Sequence, residues 1–184
     1  MNKYTDALHW VKNLHLKQIH RKGIAMQLAK AGGVVYITGR TLTSTKKTPG
    51  TLAGAVDEIN AAAPNGNCIG VACDHSDDAA TEALFRRVID ENGRIDVLVN
   101  NAYSAVNTIM ETAGKKFWEK EPSVWDKSND VGLRSHYVAS VFAARHMVSA
   151  RKGLIVNVSS FGGWRYAGFA TDVAYGVGKA ASDR

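Results

Sequence analysis

Near the end of the 184-residue chain a tyrosine and a lysine stand four apart, in Tyr175-Gly176-Val177-Gly178-Lys179. On a helix this spacing puts both side chains on one face, about one turn from each other. An ammonium beside a phenol whose ordinary pKa is about 10 favours the phenolate, which gives the pair the chemistry of a proton donor and acceptor near neutral pH. Two common residues at helical spacing more often mark a solvated face, so the spacing decides nothing alone. The setting says more. An apolar run, Leu154-Ile155-Val156-Asn157-Val158, ends in Ser159-Ser160, and a loop rich in glycine and aromatics leads on to Tyr175. A buried strand that releases a serine hydroxyl ahead of a tyrosine-lysine helix assembles a site for an alcohol or a carbonyl.

The elements that must position those groups are legible as alternating patterns. Short apolar runs rich in β-branched residues occur at Val34-Val35-Tyr36-Ile37-Thr38, Cys68 to Cys73, Asp96-Val97-Leu98-Val99 and Leu154 to Val158. Such runs read as buried parallel strands. Helical patterns lie between them. One runs from Gly23 to the stop at Gly32-Gly33, and an Ala-rich one covers 51–63. A third covers 78–92, with Leu84, Phe85, Val88 and Ile89 as its apolar face, and a long one runs from Trp125-Asp126 to about Ala150. Strands alternating with helices predict an α/β fold with a parallel sheet.

With Ser160, Tyr175 and Lys179 in place, and with Asn100-Asn101-Ala102-Tyr103 directly behind the Val97-Leu98-Val99 run, the chain resembles the short-chain dehydrogenase/reductase family. That is a Rossmann-type group of NAD(P)-dependent oxidoreductases, and the resemblance covers residues 23–184. It implies an oxidoreductase that interconverts a small-molecule carbonyl and alcohol by hydride transfer. Ser160 would polarise the substrate oxygen, Tyr175 would pass the proton, and Lys179 would hold the nicotinamide ribose and assist the tyrosine. The same resemblance places Asp74 against the adenine, and Asn100 and Ala102 beside the cofactor. Arg40, at the end of the Val34–Thr38 run where an acidic residue would accept from the NAD ribose, suits the 2′-phosphate of NADP instead. NADP(H) is therefore the preferred cofactor, with NAD(H) possible. Phe161, Trp164, Tyr166 and Phe169 either line a pocket for an apolar carbonyl substrate or cover the core.

The chain also departs from the family pattern. No glycine occurs before Gly23, so the family's phosphate-binding glycine loop has no counterpart, and Leu14 to Lys22 stand in its place. The expected division is a basic leader over 1–22 and a partial NAD(P)-binding domain over 23–184. The expected fold is a Rossmann-type doubly wound parallel sheet that is incomplete, its first strand and its C-terminal part missing. Gly132 occupies the position where the family carries a relay asparagine, seven residues after Trp125, with Asn129 near enough to substitute. Together with Tyr103, Gly132 matches one subgroup of the family. The alternative function is a non-catalytic truncated fragment or isoform that binds no cofactor, with homo-oligomers expected only of an intact chain.

Composition excludes other classes. Hydrophobic content of 45% and charged content of 22% are those of a globular protein, and no apolar run approaches the roughly 20 residues of a membrane span. The net charge is +6. Residues 1–22 hold Lys3, Lys12, Lys17, Arg21 and Lys22 against Asp6, a net of +4, which leaves +2 for the remainder. A nucleic-acid partner would need that charge on a folded face. His9, His15 and His20 lack the cysteine or second carboxylate of a metal site. Cys68 and Cys73, five apart on one strand, face opposite sides and cannot pair there. Without a secretory signal, a reducing, cytoplasmic setting is expected.

Overall fold

A computed structural model of the chain describes residues 19–40, 51–165 and 172–184. The chain divides into two compact units, one up to Ala72 and one from Cys73 on.

The first unit runs α1 (Ile19–Lys30), β1 (Val34–Gly39), α2 (Leu52–Ala62) and β2 (Asn67–Ala72). Its strands pair in parallel with Val34 opposite Asn67 and Gly39 opposite Ala72. Helix α1 begins at Ile19, four residues before the expected Gly23, so the basic residues His20 to Lys22 belong to its first turns. Lys22 in that turn forms an ion pair with Glu58 of α2. Thr51 starts α2 by accepting the Gly54 N–H at 3.0 Å, which satisfies one of the helix's unpaired N-terminal donors. The Asn60 amide bonds both backbone groups of Cys68, at 2.7 and 3.0 Å, and so clips α2 to β2. Ala25, Ala29, Ile59, Ala63 and Cys68 are buried together as the core of the unit.

The second unit continues with α3 (Asp78–Asn92), β3 (Val97–Asn100), α4 (Val106–Glu111), a 3-10 turn (Phe117–Glu119) and α5 (Ser123–Asn129). A π-type segment (Asp130–Arg134), α6 (Ser135–Ala150), β4 (Leu154–Asn157), a 3-10 turn (Phe161–Gly163) and α7 (Val173–Ser182) complete it. Strands β3 and β4 pair in parallel, Val97 opposite Leu154 and Asn100 opposite Asn157. Phe85, Ala139, Ala143 and Met147 form its core, with Leu98 and Ile155 packed against them.

Three expectations change. The long helix from Trp125 to Ala150 is broken. Val131 (φ −111°, ψ 93°) and Gly132 (φ 148°, ψ −19°) leave the helical region between α5 and α6, and Gly132 sits where only glycine avoids a steric penalty. The four strands, read as buried, are only partly so. Val34, Val97, Leu154 and Val156 are exposed, because among the described residues each strand lies in a sheet of two and therefore has an open edge. The expected α/β pattern of parallel strands and intervening helices holds, but as two separate pairs. Cys73 falls one residue beyond β2, and both thiols are free and buried. Residues 1–18 of the expected leader lie outside the described residues.

The packing has two measurable consequences. A Cβ on Gly66 would overlap the carbonyl of Ala29 in the backbone itself, so Gly66→Ala should destabilise the protein by about 1–3 kcal/mol, the cost of overpacking, read as a lower midpoint in thermal unfolding. The second concerns His136, 6% exposed, whose Nε2 lies 2.9 Å from the Ala102 carbonyl and therefore carries the proton. Burial, aided by the Lys179 charge, pushes its pKa from 6.5 down to about 4. Between those values the unfolded chain binds the proton and the folded one does not, so stability falls as pH drops from 6.5 toward 4. The loss should reach roughly 2–3 kcal/mol, measured by denaturant unfolding across that range. His136→Gln should flatten the slope, and the remainder should include His75, whose pKa burial also lowers, and, toward pH 4, Asp78, which Arg134 holds low.

Candidate active site

Helix α7 is the platform. Asp172 accepts the Tyr175 N–H at 2.9 Å and so caps the helix. It also pairs with Lys120 at 2.5 Å, where the side chains are only 4% and 10% exposed. A carboxylate buried beside a helix N-terminus is favoured by both the ammonium and the orphan N–H groups. One helical turn on from Tyr175, the Lys179 side chain is buried. Its Nζ donates to the Val158 carbonyl at 2.9 Å and lies 5.4 Å from the centre of the Tyr103 ring. The Tyr103 and Tyr175 rings meet edge to face, centroids 5.5 Å apart at 74°. Tyr175 is half-buried.

Ser160 leaves β4 extended, and its Oγ accepts the Gly162 N–H at 3.1 Å, capping the 3-10 turn Phe161–Gly163. That bond uses a lone pair and leaves the hydroxyl proton as a donor. The turn docks on α7. A Cβ at Gly163 would stand 2.6 Å from the Ala180 nitrogen, and the Ser159 Oγ donates to the Lys179 carbonyl at 3.4 Å. Serine turn and lysine turn are thus held together, with Tyr175 one turn before Lys179 on the same helix. Phe161 and Trp164 are exposed and pair with each other, 5.5 Å between centroids. They do not cover the core. Tyr166 and Phe169 lie outside the described residues.

The strand end behind the site is built from Asn100. Buried, its Nδ2 donates to Asn157 Oδ1 (2.8 Å), Ser140 Oγ (3.0 Å) and the His136 carbonyl (3.3 Å). The side chain therefore ties β3 to β4 and α6, a structural task. The Ala102 carbonyl takes the His136 N–H. Asn129 packs on α7, its Nδ2 donating to the Trp125 and Ala174 carbonyls at 3.1 and 3.4 Å, and a Cβ at Gly178 would collide with its Oδ1. Asp74 accepts the backbone and hydroxyl of Ser76 at 3.0 and 2.8 Å, shaping the turn into α3. Arg40 belongs to the first unit, exposed just past β1.

Sequence reasoning missed three participants. Tyr103 enters as the fourth residue of an asparagine-asparagine-alanine string and, with Gly132, as a subgroup match, with nothing in its type to say that it meets both Tyr175 and Lys179. Asp172 carried a signal, since an aspartate just before a helical run is a capping residue. Lys120 carried none, because its partner lies 52 residues away.

A family model described as short chain dehydrogenase matches residues 21–184. The proteins called dehydrogenase/reductase SDR family member 1 from Mus musculus and Homo sapiens are each 49% identical over 164 residues, which is 89% of this chain and 49% of theirs. The chain thus spans about half the length of these curated relatives. Among solved structures, a metagenomic short-chain oxidoreductase in complex with NADP aligns with a TM-score of 0.70 at 28% identity, covering 88% of this chain and 66% of that one. A short chain dehydrogenase from Mycobacterium smegmatis aligns with a TM-score of 0.70 at 26% identity, covering 91% and 62%. The matched residues include Ser160 in the turn after β4 and Tyr175 and Lys179 on α7, and the chain belongs to the short-chain dehydrogenase family.

Proposed function

We propose that the protein is an NAD(P)(H)-dependent oxidoreductase that interconverts a small-molecule carbonyl and alcohol, with Ser160, Tyr175 and Lys179 as its catalytic residues. The observation that carries this reading is the docking of the Ser160 turn on the helix that presents Tyr175 and the buried Lys179 ammonium one turn apart. The donor set fits a nicotinamide ribose and a substrate oxygen: one hydroxyl with its proton available, one phenol and one anchored ammonium. When bound, the nicotinamide gives or takes the hydride.

The rest is done by side chains of this chain. In the reducing direction Ser160 donates a hydrogen bond to the carbonyl oxygen, which draws charge onto it. Tyr175 gives that oxygen its phenolic proton as the carbon receives hydride, and the product leaves as the neutral alcohol. The ammonium of Lys179 compensates the phenolate left behind, and solvent returns the proton. Oxidation runs the same path backwards. Lys179 holds the ribose hydroxyls, Asn100 and Ala102 fix the strand end beside the nicotinamide, and Asp74 meets the adenine.

Arg40 supports a preference for NADP(H), because a guanidinium at this strand end offers a fork of donors to a 2′-phosphate. The two buried, free thiols support a reducing compartment. Among the described residues no helix is long and apolar enough to cross a membrane.

Two expected outcomes test this reading. Tyr175→Phe removes the transferred proton and should lower kcat by roughly 10²–10⁴ with nucleotide affinity nearly intact, whereas Lys179→Ala should weaken both. An active Tyr175→Phe variant would end the assignment. For the cofactor, NADPH should bind more tightly than NADH by about 1.5–3 kcal/mol, the worth of a charge-assisted hydrogen bond. Arg40→Ala should remove that difference and spare NADH binding, as measured by titration calorimetry with both nucleotides.

A further inference from the structure

We propose that Tyr103 is a positioning residue of this site: its ring is the wall that holds the Lys179 ammonium and the Tyr175 phenol in register, and Gly132 leaves the space in which the ring stands. The inference rests on the catalytic reading of Tyr175 and Lys179 given above.

Four contacts carry it. The Lys179 Nζ lies 5.4 Å from the Tyr103 centroid, inside the roughly 6 Å over which a ring's negative face attracts a cation. The edge-to-face contact with Tyr175, 5.5 Å and 74°, is the arrangement that aromatic quadrupoles favour. A Cβ at Gly132 would stand 2.5 Å from Tyr103 Cδ2 and 3.0 Å from Cε2, so any other residue there would push the ring away. The break at Val131 and Gly132 also holds the segment that bears the ring. The Ser104 N–H donates to the Val131 carbonyl at 3.2 Å and the Ser104 Oγ to the Lys127 carbonyl at 2.9 Å. The kink thus makes room for the ring, and Val131 within it and Lys127 in the preceding α5 supply the acceptors that fix the chain beside it.

The ring does not compete with Tyr175 for the proton. Burial pushes the Tyr103 phenol up to about 12. It stays neutral at working pH, a wall and not a second acid. A leucine is smaller than the ring and would attract neither the ammonium nor the second ring.

The test compares Tyr103→Phe, Tyr103→Leu and Gly132→Ala in the purified protein. One readout needs no turnover. In NMR of lysine-labelled protein the Lys179 ε-methylene protons, beneath the ring, should be shifted upfield, the shift should survive in Tyr103→Phe, and it should vanish in Tyr103→Leu and Gly132→Ala. The other readout is NADPH-dependent reduction of diacetyl as a carbonyl probe. Tyr103→Phe should retain kcat within about twofold, while Tyr103→Leu should lose roughly fivefold to thirtyfold, the worth of a partly desolvated cation–π contact, with the KM for diacetyl nearly unchanged. A kcat in Tyr103→Leu equal to that in Tyr103→Phe, or an upfield shift that persists in Leu, overturns the proposal. So does full kcat with pentafluorophenylalanine at position 103, which keeps the ring's bulk but not its negative face. If Gly132→Ala fails to fold, the Phe and Leu pair still decides. If Tyr175→Phe proves active, the catalytic reading falls while the ring-current comparison still tests the wall.

Discussion

The second unit depends on how the Lys179 ammonium is accommodated. A buried ammonium costs several kcal/mol unless acceptors take its protons. Lys179 finds the Val158 carbonyl at 2.9 Å and the face of Tyr103. Val158 is the residue at which β4 stops pairing: its N–H still bonds the Asn100 carbonyl at 2.9 Å, and its own carbonyl turns to the lysine. The lysine thereby registers α7 on the end of the β3 and β4 pair. Asn100 completes the junction by tying that end to α6. Removing the ammonium would release a strand end, a helix and a ring together.

The second constraint is close approach. Gly163 lets the serine turn touch the backbone of α7, and Gly178 lets Asn129 of α5 do the same from another side. Glycines inside a helix cost about 1 kcal/mol each against alanine, so α7 is intrinsically poor. It forms because Asp172 caps it, Lys120 neutralises that cap in a buried pair, and both flanks are packed. The helix that bears the proposed chemistry is held by its surroundings more than by its own propensity, which places Tyr175 through several independent contacts.

The local parts of this arrangement were legible in the sequence. The apolar runs at Val34, Cys68 to Cys73, Val97 and Leu154 each became a strand within a residue or two, since short β-branched runs between helical patterns have few other uses. The spacing of Tyr175 and Lys179 was legible as one helix, and α7 carries both. The break between α5 and α6 was not, because the hydrophobic pattern continues through it and a single glycine in a helix is tolerated too often to mark a break. The reason for Gly132 lies in Tyr103, 29 positions earlier, and the reason for Asp172 lies partly in Lys120. Such pairs are fixed by tertiary packing, which leaves no periodicity in the chain. The start of α1 at Ile19 was missed for a related reason: its first residues are basic and polar, and Lys22 is held there by Glu58 of another helix.

At the centre of the proposed function stands a hydride passed to a carbonyl carbon from a nicotinamide while Tyr175 supplies the proton, and its most direct measurement is the fate of a label. With NADPH carrying deuterium at the transferred position of C4, reduction of diacetyl in ordinary water should place deuterium on the carbinol carbon of the product, from one face of the nicotinamide only, as read by mass spectrometry. Product formed without deuterium on that carbon, or no deuterium leaving the nucleotide, would contradict such a transfer.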